Sequence, residues 1–176
     1  MRLHHAIACV FCSVLFCCFA SAGADRPQTP VELLNRLAGA WVLRGTIGGK
    51  QTTHDVRAEW VLNHEYLQLH EVSREKNASG TPAYDAIIYI EWDAKAREYR
   101  CLWLDSTSGG GLSAQGIAHA SQAGDSIPFL FTLSPSDQIR TTFRYDSAAD
   151  SWQWLIDNVD RGNIRQFANV KLSRAQ

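Results

Sequence analysis

The sequence predicts an all-β fold: a closed antiparallel β-barrel of about ten strands with one short N-terminal helix. Three observations predict it. From Trp41 onward apolar residues recur with a period of two. Clusters of Gly, Asn, Asp, Ser and Pro interrupt that pattern at the intervals of short hairpin-linked strands. No helical stripe separates one strand-like run from the next, which excludes a parallel α/β sheet because parallel neighbours need long crossovers. A long meander hides its edges by closing on itself, and a two-sheet sandwich is the alternative architecture.

The elements follow in order. Thr29-Pro30-Val31-Glu32 sets a capping hydroxyl before a first-position proline, with a glutamate three residues after the cap, which is a capping box. Leu33, Leu34 and Leu37 then form a helical stripe and Gly39 supplies a stop, so a helix is predicted over residues 30–38. Strands are predicted over 40–47, 53–62, 65–74, 84–92, 98–106, 112–120, 127–133, 138–145, 152–158 and 163–172. Gly48-Gly49 suits a hairpin turn that needs positive φ, and Gly109-Gly110-Gly111 breaks the chain after the fifth strand. In the second strand Val56, Ala58, Trp60 and Leu62 share one face.

Ahead of these elements stand Arg2, His4 and His5, an apolar run over residues 6–19, and Ala20-Ser21-Ala22, the pattern of a secretory signal peptide. Cleavage after Ala22 divides the chain into a signal segment, 1–22, and a single β-barrel domain, 23–176; Ala22-Gly23-Ala24 offers a second site two residues on. Residues 25–29 read as a polar arm. The expected destination is the periplasm or the extracellular space, with no stable membrane insertion after cleavage. Cys17 and Cys18 lack the surroundings of a lipidated cysteine. Four of the five cysteines, Cys9, Cys12, Cys17 and Cys18, leave with the signal segment, so Cys101 has no intramolecular disulfide partner and reads as a buried, inert thiol.

The whole chain has a formal net charge of −1, and losing Arg2 makes the remainder one unit more negative. With no basic run or acidic tail, nucleic acid and anionic membrane are not expected as partners. Asn77-Ala78-Ser79 matches a glycosylation acceptor in an exposed loop, a match that would carry no meaning if the protein were bacterial.

Gly39-Ala40-Trp41, after the short helix, resembles the Gly-x-Trp signature of lipocalins and other calycins. The resemblance implies that Trp41 plugs the closed end and stacks on a basic side chain of the last strand, with Arg165 or Lys171 in that part. Tyr84-Asp85, Asp93, Tyr99 to Ser106 reading Tyr-x-x-x-Trp-x-Asp-Ser, Gly116 and Val170-Lys171-Leu172-Ser173-Arg174 together resemble the bacterial domain-of-unknown-function family 1579. The likeness spans residues 34–174 and departs at Ala86, where the family has a glycine. It implies a calycin-like barrel and suggests ligand binding.

Catalytic and metal motifs do not emerge. Gly111-Leu112-Ser113-Ala114-Gln115-Gly116 has one residue too many for a nucleophile elbow and lacks the strand-turn-helix context. His54, His64, His70 and His119, with Glu65 and Glu71, match no zinc spacing, although pairing across strands stays open. No catalytic residue, metal or cofactor is assigned.

The aromatic residues carry the functional expectation. Trp60, Tyr66, Tyr89, Trp103, Phe143 and Trp154 fall on strands and suit either a packed core or a ligand cavity. Glu91 and Asp105 accompany the Tyr89 and Trp103 faces; if these point inward, each carboxylate needs a partner, and Arg140 and Arg144 are available. The resulting reading is a barrel that holds a small apolar or amphipathic molecule. An isomerase- or hydrolase-type enzyme using Asp105 or Glu91 as general base, and a structural or adaptor barrel with a solid core, are the alternatives. The sequence sets no oligomeric state.

Overall fold

The computed structural model describes residues 29–107 and 112–176. The expected signal segment, the expected arm up to Gln28 and the Gly109-Gly110-Gly111 break lie outside the described residues.

Helix α1, Pro30–Leu37, starts at the expected capping box: Glu32 donates its N–H to Thr29 Oγ1 at 3.3 Å, and Thr29 donates its own N–H to Glu32 Oε2 at 2.8 Å. These bonds satisfy two donors that a helix N-terminus leaves free. Its buried face is Leu33, Leu34 and Leu37.

Ten strands follow: β1 Gly39–Ile47, β2 Lys50–Val61, β3 Tyr66–Ser73, β4 Asp85–Asp93, β5 Glu98–Asp105, β6 Ile117–Ala120, β7 Ser126–Ser134, β8 Asp137–Asp146, β9 Ser151–Asp160 and β10 Asn163–Arg174. Each pairs antiparallel with its neighbour in sequence, and β1 pairs with β10 from Trp41↔Arg174 to Ile47↔Ala168. The ring is therefore closed, and the sandwich is excluded. At Gly48-Gly49 both residues take positive φ, 57° and 79°, as the hairpin requires.

Two predicted strand limits are corrected. The strand expected over 112–120 begins only at Ile117; Ala114–Gly116 is a 3-10 turn, and Leu112 is exposed. The segment ahead of Ile117 contains glycine and small polar residues, with no alternation to hold a ladder. Leu62, expected in the second strand on the face of Val56 and Ala58, lies just beyond β2 and is 70% exposed because Leu62, Asn63 and His64 all take positive φ and turn the chain outward.

Alternation places one apolar set inside. Val56 and Ala58 of β2, Leu67 and Leu69 of β3, Ile88 and Ile90 of β4, Tyr99 and Cys101 of β5, Phe129 of β7, Phe143 of β8, Trp154 of β9 and Val170 of β10 belong to one buried cluster. Helix α1 covers one end, pinned by polar tips of inward rings. Trp41 Nε1 donates to the Leu37 carbonyl at 2.7 Å, Tyr99 Oη to that of Pro30 at 3.0 Å, and Trp60 Nε1 to Asn35 Oδ1 at 2.8 Å. Leu37 lies in the last turn of the helix, where carbonyls lack intrahelical partners, so the Trp41 indole supplies a missing donor.

Trp41 stacks under Arg174, whose guanidinium carbon lies 3.8 Å from the ring centroid. The basic partner is therefore Arg174, and neither Arg165 nor Lys171. Register explains the correction: Arg174 lies directly opposite Trp41, whereas Arg165 pairs with Asn158 at the far end of β10 and Lys171 is exposed opposite Arg44. Arg174 also donates to the carbonyls of Ala38 at 2.8 Å and Arg36 at 3.2 Å. Gly39, at φ +128°, makes room for it, since a Cβ there would stand 2.4 Å from Arg174 Nη1.

Cys101 is 1% exposed inside the wall, and burial raises its thiol well above the usual range. We expect no reaction of folded protein spanning residues 23–176 with a thiol reagent and one equivalent of labelling after denaturation. Rapid labelling of the folded domain would contradict this burial.

Candidate functional site

In a closed ring an inward side chain reaches water only through an end of the barrel. At the end opposite α1 the inward positions Ile47, Thr52, Trp103, Asp105, Ile139, Ile156 and Asn158 are half-buried, whereas the inward residues below them are buried. They mark a mouth. Beneath it stand His54, Glu71 and Thr141, at 4%, 2% and 1% exposure, together with Phe143 and Trp154.

His54 and Glu71 arrive by simple alternation. His54 continues the Val56/Ala58 face of β2, and Glu71 continues the Leu67/Leu69 face of β3. Register sets Val56 opposite Glu71 and His54 opposite Ser73, so the two side chains meet diagonally across the strand pair. His54 Nδ1 lies 2.5 Å from Glu71 Oε1.

The other imidazole nitrogen, Nε2, is 2.8 Å from Thr52 Oγ1, and that hydroxyl donates to Glu75 Oε2 at 3.0 Å. A hydroxyl has one proton to give, so His54 Nε2 is the donor to Thr52. The Nδ1···Oε1 contact then contains one proton, held either by imidazolium against carboxylate or by a carboxylic acid against neutral imidazole. Burial raises the Glu71 carboxyl, while the His54 hydrogen bond and charge pull it down and Asp105 pushes it further up. Glu71 Oε2 is buried and has no hydrogen-bond partner.

A second polar group stands beside this pair. Trp103 Nε1 donates to Tyr84 Oη at 3.0 Å, and Tyr84 Oη is 3.4 Å from Asp105 Oδ2. The other carboxylate oxygen of Asp105 accepts from the backbone N–H of Thr107 at 2.8 Å and from its hydroxyl at 2.5 Å. Burial, with the charges of Glu71 and Asp105 behind it, raises the Tyr84 phenol beyond its ordinary range, so Tyr84 stays neutral.

Tyr84 also links the two groups, its ring stacking on His54 with centroids 5.7 Å apart. Trp103 packs against Trp154 at 5.4 Å, and Trp154 stacks on Phe143 at 4.4 Å. The Trp154 Nε1 donor is buried without a partner. The mouth thus has aromatic walls, one proton-sharing His–Glu pair, a second carboxylate and two unpaired polar atoms.

Of the residues expected to line the interior, the structure brings Trp103, Asp105, Phe143 and Trp154 to this half. Trp60 is also inward but sits at the helix end, bonded to Asn35. The remaining placements are corrections. Arg140 and Arg144 are exposed on the outer face, because Thr141, Phe143 and Tyr145 take the inner one, and neither partners Asp105. Tyr66, Tyr89 and Glu91 also face outward, since Ile88 and Ile90 face inward.

With Leu62, Arg100, Leu102 and Ile117 those three residues border a shallow hollow of about 460 Å³ on the outer wall. Glu91 there contacts Arg100 at 3.6 Å, and Arg100 also pairs with Asp93 at 2.7 Å and Glu98 at 3.1 Å.

Sequence reasoning weighed His54 and Glu71 only as possible metal ligands and did not place them, or Tyr84, in a ligand site. The signal that finds the first two is parity alone, extended past the apolar part of each strand. Among the described residues no group of three or more His, Cys, Asp or Glu side chains is arranged to hold a metal ion. Ser113 precedes a 3-10 turn, without the helix that a nucleophile elbow requires.

No protein-family model matches the chain, and no curated protein matches it. The functional reading therefore rests on the geometry of the mouth.

Proposed function

We propose that the chain is an exported calycin-like barrel, of the kind found in the domain-of-unknown-function family 1579, that binds a small apolar or amphipathic molecule in the mouth half of its interior. One observation carries this reading: inward Trp103, Ile139 and Ile156 remain half-buried above Glu71 Oε2 and Trp154 Nε1, two buried polar atoms without partners. A buried polar group that lacks a hydrogen bond costs free energy, and a ligand, like an ordered water, removes that cost. The part-exposed rings and branched chains around it offer apolar contact area.

Titration with the neutral fluorophore N-phenyl-1-naphthylamine tests the reading. We expect saturable enhancement of emission, weakened about tenfold or more by Trp103→Ala through loss of apolar contact worth at least ~1.4 kcal/mol. Tyr89→Ala, on the outer hollow, should leave it unchanged. Equal binding by wild type and Trp103→Ala, or loss through Tyr89→Ala, would overturn the assignment to the mouth.

A second reading, general-base chemistry, moves from Asp105 and Glu91 to Glu71. It is favoured by the raised Glu71 carboxyl and its proton-sharing contact with His54. A substrate turned over by the wild type but only bound by Glu71→Gln would select this reading over simple binding.

A further inference from the structure

We propose that the molecule held in the mouth is an organic cation, a protonated amine carried on an apolar body; the inference rests on the binding reading above. The argument starts from the distribution of charge across the wall. No lysine or arginine among the described residues is buried. On β8, Arg140 and Arg144 face outward; on β1 and β10, Arg44 and Lys171 are exposed; Arg174 is committed to Trp41 at the opposite end. Arg165, opposite inward Asn158, shares the inner face but stands exposed at the outermost level of the rim.

Among the described residues, the charged inward groups of the mouth that are buried or half-buried are Glu71, Asp105 and His54. The imidazole bonds Glu71 and has a single proton to place between the two, so the pair carries no net charge. Asp105 is bound by the neutral donors of Tyr84 and Thr107 and has no cationic partner within the mouth. The site is thus short of positive charge and rich in acceptors, of which Glu71 Oε2 is wholly unpaired.

The surrounding rings favour the same occupant. Tyr84 bonds Asp105 and stacks on His54, Trp103 bonds Tyr84 and Trp154 packs on Trp103, and an aromatic face attracts a cation through its quadrupole, more strongly where water is excluded. A protonated amine supplies the missing donors to Glu71 Oε2 and the missing charge near Asp105, while its apolar body lies along Ile47, Ile139 and Ile156. An anion would meet the Asp105 carboxylate and the unpaired Glu71 Oε2 acceptor, and a neutral molecule would leave Asp105 without a cationic partner.

Calorimetric titration of the mature barrel with three matched probes decides the class: 2-phenylethylamine, neutral 2-phenylethanol and anionic 3-phenylpropionate. The amine is expected to bind at least about tenfold more tightly than the alcohol, and the anion more weakly than either. Glu71→Gln and Asp105→Asn should each weaken the amine about tenfold and leave the alcohol unchanged, whereas Glu91→Gln on the outer wall should alter neither. Asp105 is half-buried at the rim, so its amide variant tests the idea even if Glu71→Gln disturbs folding.

Binding of the alcohol or the anion as tight as that of the amine, in a mouth sensitive to Trp103→Ala, would overturn the cation assignment while the binding reading stands. Amine affinity indifferent to both interior carboxylates but lost in Glu91→Gln would move the site to the outer hollow and overturn it too. If neither the three probes nor the neutral fluorophore binds, the binding reading itself falls.

Discussion

Replacing His54 with alanine is expected to destabilise the barrel by about 3–5 kcal/mol at neutral and alkaline pH, with a smaller loss as the solution is acidified. Glu71 is 2% exposed, and its contact to His54 Nδ1 is the hydrogen bond that offsets its burial. Removing the imidazole takes away both influences that pull the Glu71 carboxyl down and leaves desolvation and the charge of Asp105, which push it up.

The sign of the pH dependence follows by linkage. A carboxyl whose folded pKa stands above its unfolded value binds more protons in the folded state, so stability falls as pH rises between those two values. The slope approaches about 1.4 kcal/mol per pH unit for one group. The penalty for His54→Ala is therefore full above the folded-state pKa. It fades towards the unfolded value of 4.5, where Glu71 is neutral in both states, leaving only the packing loss of the missing ring.

Denaturant unfolding across a pH series checks this, and a loss equal at all pH values would show that Glu71 holds no charge worth pairing. The apolar double replacement His54→Leu with Glu71→Met should lie closer to wild type than the single variant at neutral pH, because it leaves no buried charge behind.

Trp41→Ala is the second large effect, about 3–5 kcal/mol by the usual cost of truncating a buried aromatic side chain. Trp41 is 1% exposed, and its indole N–H satisfies the Leu37 carbonyl at the end of α1. Loss of the ring leaves a cavity at the closed end, an unpaired helix carbonyl and no surface beneath Arg174. Arg174→Ala is expected to cost less, about 1–2 kcal/mol, since that side chain is exposed and contributes a cation–π contact with hydrogen bonds to Arg36 and Ala38.

The Asp150 carboxyl, which the Arg174 hydrogen bond holds below its usual range, should titrate nearer that range in Arg174→Ala. Combining Trp41→Ala with Arg174→Ala should cost less than the sum of the two, because each removes part of the same contact. Strict additivity in thermal or denaturant unfolding would rule out the coupling.

Which parts of the site were readable beforehand follows from strand periodicity. In β8, Phe143 and Arg144 are neighbours, so they face opposite sides of the sheet and cannot both line one interior; parity alone rejects Arg144, and Arg140 with it. Parity also carries His54 and Glu71 inward, although a polar residue ending an apolar face resembles a strand leaving the core.

In β4 both alternations are apolar: Ile87 and Tyr89 on one, Ile88 and Ile90 on the other. Nothing local says which faces in, and for Tyr89 and Glu91 the answer came from the closed ring. The stacking partner of Trp41 was equally beyond local reading, since choosing among Arg165, Lys171 and Arg174 needs the β1–β10 register.

The amino-acid order by itself determined the capped helix, the ten-strand antiparallel meander and the inward placement of Trp60, Trp103, Asp105, Phe143 and Trp154, because capping chemistry and a two-residue period act between near neighbours. Only the tertiary structure decided the closure of the ring, the pairing of His54 with Glu71, the seat of Arg174 and the separation of an inner mouth from an outer hollow. Those depend on register between strands far apart in the chain, and a register is chosen by the packing of the whole barrel rather than by any one segment.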